Sequence, residues 1–209
     1  MHKISPSSIN LMEECPRCFW LAIHDKWKRP QGIFPSLPSG MDGILKVHFD
    51  KFMEKGELPP EIREECKDCR LFDDREKLKS WRSNFKGIQY TEGDIMLRGA
   101  VDNLLVKNGK LIVLDYKTRG FPLKDDTHEH YKVQMDLYNF LLRKNGYSTE
   151  NYSYLLFYYP NKVNNDGSVI FDTKLVKMKV GDGEKVFKKA VNVINCKEPK
   201  EKCEWCGGV

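Results

Sequence analysis

The stretch from Gly99 to Lys117 constrains this chain more than any other. Two apolar-rich runs, residues 101–106 and 111–114, flank Asn108-Gly109. A type I′ turn needs positive φ at both central residues, so Asn-Gly between such runs predicts a two-residue hairpin. That turn pairs Lys107 with Lys110, and the same register, continued, sets Asp102 directly opposite Asp115. Opposed residues have Cβ atoms about 4.5–5.5 Å apart, and like charges so placed repel. Lys117 lies two residues beyond Asp115 and projects from the same face. The rest of that face is Leu104, Val106, Leu111 and Val113, so the charges stand at the end of an apolar surface. Two converging carboxylates need a compensating cation, which a divalent metal and the neighbouring lysine would supply. The competing reading is a solvated hairpin edge. A lone Asp-Tyr-Lys favours that edge; a second acid in register favours a site.

The 209 residues suffice for one substantial core, and a second independent domain is not expected. With 31% charged and 40% hydrophobic residues, the composition is that of a soluble globular protein. The formal net charge of +5 tolerates a polyanionic partner without requiring one. No apolar run approaches the roughly 18 residues of a membrane span, and the first residues lack the apolar core of a signal peptide. The expected compartment is the cytoplasm, where seven cysteines are metal ligands or free thiols rather than disulfides.

In chain order, Ser5-Pro6 reads as an N-cap and first helical residue, followed by a short helix, a break at Cys15-Pro16, and a second helix through 19–23. Residues 29–40 carry three prolines and two glycines and read as a loop. Its Ile33, Phe34 and Leu37 are expected to pack onto the body. Met41, Ile44, Leu45 and Phe52 then follow helical spacing, with His48 on the stripe, ending before Gly56. Residues 57–87 are highly charged, include Cys66 and Cys69, and read as an insertion with a weak helical signal at 78–85. Past the hairpin, Asp126 with Glu129 resembles a capping box, with Thr127 the alternative cap. The helix that follows puts Gln134, Leu137, Tyr138, Leu141 and Leu142 on one face and ends at Asn145-Gly146. Strands at 152–159 and 169–180 and a last helix at 184–194 complete a single mixed α/β domain, a central mixed β-sheet flanked by helices.

Aspartates are hard oxygen ligands suited to Mg²⁺ or Mn²⁺. Such an ion lowers the pKa of a bound water and neutralises charge on a phosphate, and Lys117 beside it would orient that water. These parts suit phosphodiester hydrolysis. Neither a Gly-x-Ser-x-Gly elbow nor a phosphate-cradling glycine loop occurs.

The series Gly99-x-x-Asp102, Asp115-x-Lys117 and Gln134-x-x-x-Tyr138 resembles the PD-(D/E)XK nuclease superfamily, and more narrowly its RecB-type branch, which includes CRISPR-associated exonucleases. Ser5-x-Ser7, Cys15-Pro16 and the terminal cysteines extend the likeness almost end to end. The resemblance implies a restriction-endonuclease-like core and a DNA nuclease acting on single strands or strand ends. It also implies partner proteins of a repair or CRISPR adaptation complex. By it, His48, Asp102, Asp115 and the Tyr116 carbonyl would hold the metal, Lys117 would assist the attacking water, and Gln134 and Tyr138 would brace the site and contact DNA. The alternative is a non-catalytic nucleic-acid-binding or adaptor module that keeps the fold; intact Asp102, Asp115 and Lys117 weigh for the enzyme.

Cys15-x-x-Cys18 and Cys203-x-x-Cys206 each bite a metal from a tight turn, and together they complete a four-thiolate site. In the branch it resembles, one N-terminal and three C-terminal cysteines hold an iron–sulfur cluster. Here Cys18 is extra and no cysteine follows Cys206, although Cys196 could serve as a third C-terminal ligand. The metal is left open between a [4Fe–4S] cluster and Zn²⁺.

Overall fold

A computed structural model describes residues 1–208. Strand β1 (His2–Ile4) leads into α1 (Pro6–Glu14), where the Ser5 and Ser8 side chains exchange hydrogen bonds with each other's backbone N–H in a capping box. Cys15 breaks the helix and its sulfur caps α2 (Pro16–Ile23). Helix α3 (Ser36–Lys55) starts five residues before the predicted stripe. Pro38 falls in its first turn, where the missing N–H has no intrahelical acceptor in any case. The loop expected through residue 40 therefore stops at residue 35. Nor does this segment pack down: Ile33, Phe34 and Leu37 are exposed. Leu45 and Phe49 are the buried anchors of α3, each contributing about 1.5–3 kcal/mol by burial, and Phe52 and Met53 pack half-buried against the same core.

The charged stretch from residue 57 supplies α4 (Pro60–Arg63), β2 (Arg70–Leu71) and α5 (Arg75–Trp81). Next come β3 (Ile88–Glu92) and β4 (Ile95–Gly99), then β5 (Asn103–Lys107) and β6 (Lys110–Thr118). A 3-10 turn (Thr127–Tyr131) precedes α6 (Lys132–Lys144). Asp126 is not a side-chain cap here; the Thr127 hydroxyl accepts from the Lys124 N–H, and the chain winds tightly before the α-helix begins. Strands β7 (Tyr152–Val163) and β8 (Val169–Lys179) and helix α7 (Gly183–Asn195) complete the described elements.

The strands form two mixed sheets flanked by helices, ordered β1-β4-β3 and β2-β5-β6-β7-β8. In the larger sheet β6 pairs antiparallel with β5 and parallel with β7, and α6 lies on the crossover between the two parallel strands. Alternation along β6 divides the interior. Leu111 and Val113 join the core under α1, α6 and α7, whereas Ile112, Leu114 and Tyr116 join the core under α3 and α4. Asp115 shares the α6 side with Leu111 and Val113.

Candidate active site

The hairpin register is the predicted one: Lys107 pairs with Lys110, and pairing runs to Asn103 opposite Leu114. Asn108 and Gly109 both have positive φ, 49° and 77°. Asp102 is the next residue, just past the end of β5. There its carboxylate takes over what a strand backbone would have offered: Oδ2 accepts the Tyr116 N–H at 3.0 Å. In a strand, a residue's N–H and C=O point to the same edge, so the Tyr116 carbonyl is directed toward the Asp102 edge where β5 has ended. Asp102 is pinned from both flanks. Arg82 Nε donates to its carbonyl at 2.7 Å, and the Val101 N–H donates to the Trp81 carbonyl at 3.2 Å.

Asp115 is 1% exposed. Burial, together with repulsion from Asp102 and against the pull of Lys117, raises its pKa to about 7. Lys117 Nζ is ion-paired with Asp115 Oδ2 and lies 4.8 Å from the centre of the Tyr131 ring, a cation–π contact. Burial works against the charge on Lys117, but the two aspartates outweigh it and raise its pKa. Gln134 Nε2 donates to the Tyr138 hydroxyl at 2.7 Å, as one helical turn between them permits. The Tyr138 ring packs beside Gly99: a Cβ at that glycine would lie 2.9 Å from the ring.

Helix α3 reaches the acids with side chains that sequence reasoning passed over. Lys46 Nζ bridges Asp42 Oδ2 at 2.7 Å and Asp102 Oδ1 at 3.1 Å. Burial and the neighbouring Asp102 push the Asp42 carboxyl upward, with Lys46 opposing. One turn on, Asp50 accepts from Arg82 at 2.8 Å, completing a link to Asp102. The i, i+4, i+8 spacing of Asp42, Lys46 and Asp50 was the available signal. His48 stands elsewhere. At 100° per residue it is rotated about 200° from Lys46, and its Nε2 lies 3.0 Å from Glu61 Oε1. Among the described residues His48, Asp102 and Asp115 do not form a common ligand cluster.

Asp42 and Asp115 each stand beside Asp102 and are hard oxygen donors of the kind a divalent cation takes, but as the side chains stand the three do not close into one ligand cluster. Two ammonium groups offset these three acids in part, Lys46 between Asp42 and Asp102 and Lys117 on Asp115.

A second cluster lies where the chain ends meet. The sulfurs of Cys15, Cys18, Cys203 and Cys206 all lie within 4.8 Å of one another, the only such group of potential ligands among the described residues. Cys66 is buried and Cys69 half-buried beside the α3-side core, and Cys196 is exposed; none joins the group.

The model of the PD-(D/E)XK nuclease superfamily matches residues 49–207. The chain belongs to that superfamily. The match takes in Asp102, Asp115, Lys117, Gln134 and Tyr138 and begins just after Asp42, Lys46 and His48. The two-sheet α/β architecture accords with the restriction-endonuclease-like core of this nuclease superfamily, whose members use divalent metals. A search of curated proteins by sequence returns no match. Among solved structures, one titled "Crystal structure of SSO0001" is similar at a TM-score of 0.45 and 16% identity, over 98% of this chain and 82% of that one. So distant a likeness adds nothing about chemistry. No described helix is long and apolar enough to cross a membrane.

Proposed function

We propose that this PD-(D/E)XK protein is a Mg²⁺- or Mn²⁺-dependent deoxyribonuclease acting on single strands or strand ends. The observation that carries the reading is the convergence of Asp102 and Asp115 at the end of the β5–β6 hairpin, with Lys117 paired to Asp115. Asp102, Asp115 and the Tyr116 carbonyl would hold the ion, and Asp42 is the α3 residue nearest to joining them, in the role the resemblance gave His48. The ion, when bound, lowers the pKa of a water and offsets charge developing on the phosphate.

The protein's own side chains do the rest. Lys117 shares the acids' face and would orient the attacking water and stabilise negative charge beside it. Tyr131 and Asp115 hold the ammonium so that it does not swing to solvent. Gln134 and Tyr138, locked to each other, brace the floor. A cleft lined by Ser5, Ser7, Asn84, Arg98 and Gly99 shares Tyr138 with the site. Its hydroxyls, amide and guanidinium are groups that contact phosphates without reading sequence.

The test is cleavage of end-labelled single- and double-stranded DNA with Mg²⁺, Mn²⁺ or EDTA. Activity is expected with either metal, none in EDTA, and none in Asp115→Ala. Undiminished Mn²⁺-dependent cleavage by Asp115→Ala would overturn the assignment.

A further inference from the structure

We infer that Cys15, Cys18, Cys203 and Cys206 hold one tetrahedral zinc ion, and not the four-iron cluster that the RecB-type resemblance implies. Cys15 Sγ lies 3.9 Å from Cys206 Sγ, Cys18 Sγ 3.4 Å from Cys203 Sγ, and Cys203 Sγ 3.7 Å from Cys206 Sγ. Around one ion with metal–sulfur bonds of about 2.3 Å, a tetrahedron sets its sulfurs about 3.8 Å apart. In a four-iron cubane each thiolate binds a different corner, and the extra iron–iron edge spreads the sulfurs to about 6 Å. The four sulfurs here lie within 4.8 Å of one another. The enclosed space accepts an ion and excludes a cubane.

Sequence spacing agrees. Two CxxC pairs are the ligand pattern of structural zinc sites, whereas the cluster pattern of the branch this chain resembles has a third C-terminal cysteine. The one candidate, Cys196, is exposed and outside the group, and its carbonyl is occupied by the Trp20 indole N–H at 3.0 Å.

Electrostatics agree as well. Four thiolates around a divalent ion leave two negative charges, which must be balanced in a site this enclosed. Two guanidinium groups stand beside the sulfurs and offer donors to the site, although each also pairs with a carboxylate, Arg17 with Glu198 at 2.7 Å and Arg29 with Glu14 at 2.6 Å. Arg29 Nη2 donates toward Cys203 Sγ at 3.7 Å, and Arg17 Nη1 donates to the Cys206 carbonyl at 2.8 Å. Backbone N–H groups of Cys18 and Cys203 point at Cys15 Sγ and Cys206 Sγ, each at 3.4 Å. Cys15, Cys18 and Cys206 are buried and Cys203 half-buried, so all four positions are filled by protein and none opens to substrate. The site is structural: it ties the α1–α2 junction to the C-terminal turn. It lies outside the proposed cleavage chemistry and stands or falls independently of it.

The full chain, purified anaerobically from cells supplied with both iron and zinc, tests this. Elemental analysis should give one zinc per chain, with neither iron nor acid-labile sulfide, in a colourless protein. Cobalt(II) added to the metal-stripped chain should produce the intense visible absorption of a tetrahedral tetrathiolate. Cys18→Ser should lose the stoichiometric metal, and Cys196→Ser should keep it. A brown protein with iron and sulfide in equal amounts would overturn the inference. So would a chain that binds neither zinc nor cobalt, or a Cys196→Ser variant that loses the metal. The wild-type and Cys196→Ser measurements decide the matter even if Cys18→Ser does not fold.

Discussion

Replacing Gly99 by alanine would show how firmly β4 is pressed against α6. Gly99 does not adopt a left-handed φ, so an alanine would meet no backbone strain and the effect is purely one of contact. Its Cβ would lie 2.8 Å from Leu141 Cδ1 and 2.9 Å from Tyr138 Cδ1 and Cε1, well inside the roughly 3.5–4.0 Å at which carbons pack. Leu141 is fully buried and Tyr138 nearly so; Leu141 has core on every side, and Tyr138 could yield only toward the cleft it lines with Gly99. Overpacking of this kind costs about 1–3 kcal/mol, which for a chain of this size lowers Tm by roughly 2–12 °C. The displacement would not stop at the core, because the Tyr138 hydroxyl accepts from Gln134, so cleavage should fall by more than the folded fraction does. Urea unfolding of Gly99→Ala, Leu141→Ala and the double variant, with cleavage measured on the same preparations, separates the terms. Removing Leu141 Cδ1 should relieve part of the overlap, so the double variant should be more stable than the sum of singles by about 1 kcal/mol. Wild-type stability in Gly99→Ala, or strict additivity, would refute the close approach on which the reasoning rests.

Four further outcomes are expected. Lys117→Met should abolish cleavage while leaving the near-ultraviolet circular dichroism native; retained turnover would remove the lysine from the chemistry. Asp42→Ala should weaken metal-dependent cleavage about tenfold or more, whereas His48→Ala should change it little, and the reverse ranking would restore His48 to the site. In EDTA, the Asp115 carboxyl has a pKa of about 7 folded against about 3.9 unfolded. The stability associated with its raised pKa is complete below pH about 4 and is lost as pH rises toward 7, to a total of about 1–4 kcal/mol. Asp115→Asn should therefore gain on the wild type across that window in denaturant melts, and a pH-independent difference would contradict the shift. Asp136 is buried and accepts from the Gly181 N–H at 2.7 Å and from Lys132, so Asp136→Ala should cost about 1–3 kcal/mol by orphaning that N–H, read as a lowered urea midpoint.

What was legible in the sequence was whatever local chemistry dictates. Asn108-Gly109 admits few turns, and that fixed which residues oppose one another as far as Asn103 and Leu114, one pair short of the acids. Ser5-Pro6 and Asn145-Gly146 mark helix ends for equally local reasons. The β3–β4 hairpin went unread although Gly93-Asp94 is a two-residue turn of a permitted kind, because β4, buried at Ile95, Met96 and Leu97 in succession, lacks an alternation. Pro38 and Gly40 argued for a loop, but a proline in a first turn is no obstacle to α3. The apolar stripe of α3 drew attention to His48, when the side chains that reach the acids lie on its polar face. A buried charge cluster is made by tertiary packing, and no window of sequence contains both Asp42 and Asp102.

The locality of the β5–β6 hairpin also bears on the order in which the protein assembles. Its two strands are joined by two residues, while β7 must return across the whole of residues 119–151 before it can pair with β6. Hairpins close in about 1–10 μs, and pairings of high sequence separation form later. Asp102 and Asp115 therefore meet first in water, where two charges 4 Å apart repel by only about 1 kcal/mol. The repulsion becomes expensive when α6 and β7 cover the pair and the dielectric falls. The last layer of the fold closes readily only over a neutralised pair, and the raised pKa of Asp115 and its pairing with Lys117 are two ways this chain meets that demand.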